Sequence, residues 1–168
     1  MSPANPSPKT AADTTRSIWA GALIGIGVMA AVDEIIFHQL LAWHHFYDRS
    51  TLLVGLFADG LLHAGELVAI VGGFFLLLRT RARGTLATRW TWAGFFIGLG
   101  GFQLFDGIVD HKLLRTHQIR YGVPILPYDL AWNLVGLLLL GIGLFLHVQN
   151  RSARATAGSR SKSFVAGS

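Results

Sequence analysis

The chain has 168 residues, 52% of them hydrophobic and 14% charged, with a mean hydropathy of +0.48 and a net charge of +5. That length suits one domain, but so apolar a composition excludes an ordinary soluble one. With no cysteine there is no disulfide framework, no thiolate metal site and no thiol chemistry.

Residues 1–16 are rich in Pro, Ser, Thr and Ala and too poor in apolar surface to offset ordering entropy, so a flexible tail is expected there. Four apolar blocks follow, at 18–41, 52–78, 90–114 and 127–148. Each holds the roughly 20 helical residues that cross a hydrocarbon layer of about 30 Å. The expected fold class is all-α, an integral membrane four-helix bundle spanning residues 17–148. The first block carries Asp33 and Glu34 and lacks a small-residue cleavage pattern, so it reads as a retained membrane helix rather than a signal peptide. Residues 149–168, rich in Ser, Ala, Gly and Arg, form a second expected tail.

Ten of the fourteen basic residues precede the first block, separate the second from the third, or follow the fourth. By the positive-inside rule that side is cytoplasmic, which places both termini in the cytoplasm of a multi-pass protein of the bacterial cytoplasmic membrane. The basic excess is a topology signal, so no nucleic-acid partner is expected. Membrane lipid is the expected neighbour, and a second copy or a respiratory complex is the protein partner left open. The acids and histidines fall the other way: only Asp13 and His147 lie on the basic side, so a polar site is expected toward the extracytoplasmic face.

Within the first and third blocks, Gly21, Gly25, Gly27, Gly94, Gly98 and Gly100 have the spacing of close helix contacts. The second block carries Asp59, His63 and Glu66 on one helical stripe, and the fourth carries Asp129 and Asn133 at the same four-residue spacing as Asp59 and His63. Residues 19–47 and 92–120 align at an offset of 73 with 12 identities in 29 positions, among them Asp33/Asp106, His38/His111 and His44/His117. Such repetition implies two helical hairpins, 17–78 and 90–148, in parallel orientation. A pseudo-twofold axis along the membrane normal is expected, with a compact bundle around it.

Ionisable groups at membrane depth cost at least about 2.5 to 3.5 kcal/mol each and must meet each other, water or an ion. Three roles compete for Asp33, His38, Asp59, His63, Asp106, His111 and Asp129. A structural polar network returns only about 0.6 to 2 kcal/mol per bond in lipid. A proton-coupled transporter or channel subunit would use the same groups as a relay, but the polar residues stop near Glu66 and no through-path is visible. A transition-metal site, of one or two ions, fits imidazole and carboxylate donors from several helices. The donor set suits Zn, Fe(II), Mn or Cu(II), and seven nearby carboxylates disfavour haem. The expected ligands are His38, His63, His111, Asp59 and Asp129, with Asp33, Asp106 and Asn133 as orienting groups or alternatives. His44 and His117 are capping ligands or gates, and Glu66 completes the helix-two stripe. His45, Trp43 and Tyr47 are expected as interfacial anchors.

One geometric obstacle stands: residues five apart, as Asp33 and His38 are, diverge by about 140° on a regular helix. Either one of them faces another neighbour or the helix is locally distorted. No P-loop, dinucleotide, zincin or nucleophile-elbow motif is present, so a reaction is not assigned beyond a metal-dependent oxidoreductase as one option. A substrate would enter from lipid or the outer surface, between Trp43 and Trp132.

The D-[EG]-I-[IV]-x-H-x-L-L-x-x-H pattern at 33–44 and 106–117, its Trp-Ala-Gly lead-ins and the Asp59-x3-His63 pair resemble the bacterial predicted membrane protein family known as domain of unknown function 2243. The resemblance covers about residues 17–148. It implies a four-helix membrane protein without an assigned activity, and the family's association with cytochrome oxidase assembly genes is compatible with a metal role.

Overall fold

The structure is a computed structural model that describes residues 9–166, with side chains through Thr156. The N-terminal tail expected over 1–16 therefore lies outside the described residues as far as residue 8, and the expected C-terminal tail has its side chains outside them from residue 157. Helix α1 (Ala11–Val32) begins inside the expected N-terminal tail because Thr10 and Asp13 form a capping box, each side chain taking the other's backbone N–H. Helices α2 (Leu52–Ala82), α3 (Thr88–Leu104) and α4 (Leu126–Ala166) follow. Thus α4 runs on through the segment expected as a C-terminal tail. α1 continues into a π-helical segment, Asp33–Leu40, and α3 into another, Phe105–Leu114. No strand occurs among the described residues. Four helical runs, Ala11–Leu40, Leu52–Ala82, Thr88–Leu114 and Leu126–Thr156, are long and apolar enough to cross a membrane.

Glycines set the packing. α1 and α3 form the central pair, and they approach backbone to backbone: a Cβ on Gly21 would strike the Thr91 carbonyl, and one on Gly98 the Ala22 carbonyl. In lipid, where apolar side chains gain nothing by leaving the solvent, such close approach is what holds helices together. The flanking helices attach in matching ways. Gly73 of α2 packs on Ile24 of α1, and Gly143 of α4 packs on Ile97 of α3. α2 packs on α1 and α4 on α3, while α2 and α4 do not pack on each other among the described residues. The outward faces of α2 and α4 are correspondingly apolar and exposed, as at Leu53, Phe57, Leu138 and Phe145, which suits lipid.

The order α2–α1–α3–α4 departs from a bundle with one central chamber. Between α1 and α3 the glycines leave no room for a site. Polar groups collect instead at the end where both central helices turn into π segments and the connections 41–51 and 115–125 fold over them. At the other end, Ser17 Oγ accepts the Ala87 N–H at 3.0 Å and Asn150 Nδ2 donates to the Arg89 carbonyl at 3.0 Å, which fastens the α2–α3 connection to α1 and the first turn of α3 to α4.

Candidate metal centre

The π segments remove the geometric obstacle. In this conformation the backbone bonds i to i+5, as the Leu41 N–H does to the Ile36 carbonyl at 2.9 Å, so side chains five apart share a face. Asp33 and His38 are five apart, and so are Asp106 and His111. His38 Nε2 lies 3.5 Å from Asp33 Oδ2, and His111 Nε2 lies 3.2 Å from Asp106 Oδ2. Just beyond each π segment one residue adopts the left-handed conformation, Ala42 at φ 48 and Arg115 at φ 53. Neither is glycine, so both turns carry strain of the kind found where surrounding structure dictates the backbone. These turns fold the chain back and bring His44 and His117, two residues later, over the helix ends.

Four buried imidazoles result. Ring centroids are 4.4 Å apart for His38 and His44 and 4.6 Å for His111 and His117. The cross pairs His38–His117 and His44–His111 are both 6.0 Å apart. Hydrogen bonds at the rim fix the ring roles. His44 Nδ1 donates to the Ile119 carbonyl at 2.9 Å, and His117 Nδ1 donates to the Phe46 carbonyl at 3.0 Å. A carbonyl can only accept, so each Nδ1 carries the proton and each neutral ring keeps a lone pair on Nε2. His38 Nδ1 faces carboxylates on both sides, Glu34 Oε2 at 2.8 Å and Asp59 Oδ1 at 3.1 Å, so it too carries a proton on Nδ1.

The centre is therefore rich in acceptors. His38 Nε2, His44 Nε2, Asp33 Oδ2 and Asp106 Oδ2 are buried without a hydrogen-bond partner, and His117 Nε2 and His111 Nε2 face each other at 2.9 Å. Buried polar atoms are ordinarily satisfied, and a group of orphaned polar atoms in one place is where a cation could be held. Burial first, and the neighbouring His117 second, push His44 down to about 2, so it stays neutral and able to ligate at any ordinary pH. Three sets of side chains could each share an ion: His38, His44 and His117; Asp106, His111 and His117; and Glu34, His38 and Asp59. Within each set the ligand atoms lie within 4.8 Å of one another.

A carboxylate shell backs the first half. Asp59 reaches in from α2, accepting from His45 Nδ1 at 2.6 Å and the Phe46 N–H at 2.7 Å besides facing His38. Asp59 therefore orients His38 and His45, more than it faces the centre. The second half differs. Gly107 stands where Glu34 does, and Trp132 and Asn133 of α4 occupy the space its side chain would need, so His111 Nδ1 has no partner.

Several expected ligands lie elsewhere. The side chain of His63 is 51% exposed on α2 and pairs only with Glu66, at 2.6 Å. Asp129 binds Lys112 at 2.5 Å, and Asn133 Nδ2 donates to the Asp129 carbonyl at 2.8 Å. All four residues sit on the flanking helices, which reach the centre only through Asp59. Conversely, Glu34 and His45 belong to the cluster although neither recurs in the second half. Glu34 was detectable from its four-residue spacing to His38, which matches one helical turn. His44 and His117, expected as caps or gates, stand at the middle of the cluster.

A family model described as predicted membrane protein (DUF2243) matches residues 20–150. No curated protein and no solved structure matches the chain.

Proposed function

The chain belongs to the predicted membrane proteins of domain of unknown function 2243, and we propose that within the membrane it holds a transition metal, as one or two ions, at the junction of its two central helices. His38, His44, His111 and His117 are the imidazole ligands, with Asp33 and Asp106 as carboxylate ligands. Four imidazoles and two carboxylates without sulfur suit Zn, Fe(II), Mn or Cu(II). The observation that supports this proposal is the convergence of His38 Nε2, His44 Nε2, Asp33 Oδ2 and Asp106 Oδ2, all buried without a hydrogen-bond partner, beside the facing Nε2 atoms of His111 and His117.

The chain's own groups prepare such a site. The Ile119 and Phe46 carbonyls preset the tautomers of His44 and His117, and Glu34 and Asp59 hold His38, the arrangement by which outer partners raise ligand basicity. A divalent ion would offset the two charges of Asp33 and Asp106, and a second those of Glu34 and Asp59, which would make so many acids tolerable at this depth. A bound ion would supply Lewis acidity and, for Fe, Mn or Cu, redox capacity.

The test is elemental analysis of the full-length protein purified in detergent. One or two equivalents of Zn, Fe, Mn or Cu are expected, lost from a His44→Ala, His117→Ala double variant that keeps its helical circular dichroism. A wild-type protein that carries none of these metals and takes up none on titration would sink the proposal.

A further inference from the structure

Beside the imidazole cluster lies an apolar slot of about 390 Å³, near the lower end of the roughly 300 to 1,000 Å³ typical of ligand sites. Four aromatic side chains line it, Phe37 and Trp43 from the first half and Tyr128 and Trp132 from α4. Its rim includes the exposed side chains of Val32, Ile36 and Val135 on the apolar outer surface of the helices, so it opens sideways to lipid. Gln103 lies at its wall, 97% buried, and its Nε2 donates to the Trp132 carbonyl at 2.8 Å. Its Oε1 has no partner at all. A buried amide oxygen left unsatisfied in an otherwise apolar slot asks for one hydrogen-bond donor. Aromatic walls favour a flat ring, which they can meet edge to face.

We propose that this slot binds a lipid-soluble hydroquinone, whose phenolic O–H donates to Gln103 Oε1 while its apolar tail leaves toward lipid. The proposal deepens the metal reading by naming a ligand class for the same end of the protein. Phe37 and Trp43 immediately precede His38 and His44, and Ile119, whose side chain lines the slot, supplies the carbonyl that holds His44. A donor is required, so the hydroquinone is selected over its oxidised quinone, which offers Gln103 Oε1 only further acceptors.

The experiment uses the full chain in lipid nanodiscs and follows quenching of intrinsic tryptophan fluorescence by a decyl-tailed ubiquinol kept reduced. Saturable quenching is expected, weakened about tenfold for the hydroquinone O-methylated on both oxygens and for the quinone, since each lacks the donated hydrogen bond. Ala131→Phe, which fills the slot from its exposed edge, should remove the saturable component while leaving thermal stability unchanged. Quenching that never saturates, that is equal for the O-methylated analogue, or that survives in Ala131→Phe overturns the proposal and marks the slot as a place for lipid chains. Metal content is measured on the same samples, so loss of ubiquinol binding with metal retained refutes this inference alone.

Discussion

The rings of His44 and His117 are stacked, 4.6 Å between centroids and 12° from parallel, and each is tied by Nδ1 to the backbone of the opposite connection. Two neutral imidazoles can share this position, whereas two imidazolium ions would repel at short range in a poorly screened site. The stack thus couples the two halves of the chain through the groups proposed to hold the metal.

Removing either partner of the stack should lower metal content, and removing His117 by more, because His117 belongs to two of the three candidate ligand sets and His44 to one. His63→Ala should leave metal content at the wild-type level, since that side chain is half exposed and meets only Glu66. Parallel elemental analysis of His44→Ala, His117→Ala and His63→Ala decides the matter.

Glu34→Gln should weaken metal binding about 10- to 100-fold without abolishing it, the usual effect of removing a charged partner behind a ligating histidine. Competition titration with a chromogenic chelator reads this change. Strong binding left unaltered would mean that Glu34 is a packing residue.

Acid should destabilise the protein. His44 is held far below its ordinary 6.5, so between that value and about 2 the unfolded chain binds a proton that the folded chain refuses. A depressed imidazole leaves stability intact above pH 6.5 and erodes it as pH falls, by at most about 1.4 kcal/mol per unit. Thermal unfolding at pH 7.5 and pH 4.5 should show a lower midpoint in acid, and the gap should narrow in His44→Gln.

Gly98→Ala should cost about 1 to 3 kcal/mol, because the new methyl meets the Ala22 backbone, which cannot step aside without parting α1 from α3. Gly101→Ala, where the added atom meets open space, should instead gain about 0.5 to 1 kcal/mol. Unfolding in graded denaturing detergent compares the two.

Ala42→Gly should stabilise the first connection by about 1 kcal/mol, and Ala42→Val should destabilise it by more, because left-handed backbone is costly for any residue with a Cβ. If both variants melt like the wild type, the turn is not held as described.

Much of the fold was legible. Apolar block length gave the four helices, the small residues gave the α1–α3 contact, and the repeated Asp-x4-His-x5-His singled out Asp33, His38, His44, Asp106, His111 and His117, which the structure brings together. What was not legible is helix rotation. Asp129, Asn133, His63 and Glu66 have a suitable stripe, spacing and depth, but flanking helices need not face a central chamber. Depth follows from counting residues, but the face a flanking helix presents is set by where its glycine meets α1 or α3, and that partner is not visible in one sequence. Glu34 and His45 do not recur, and His45 falls where an interfacial anchor is expected. Recurrence finds what both halves share, and these two residues serve only one.

Each π segment brings its aspartate and histidine to one face by carrying its bonds one residue further than an α-helix would. Deleting a single residue anywhere in 33–40 would let that run close as ordinary helix and swing everything downstream by about 100°. His44 would then be aimed away from the cluster with every side chain of the cluster still encoded. Chain length between Asp33 and His44 is thus as much a determinant of the centre as the identity of any imidazole, and indel tolerance should drop sharply there while the neighbouring helix faces accept apolar exchange freely.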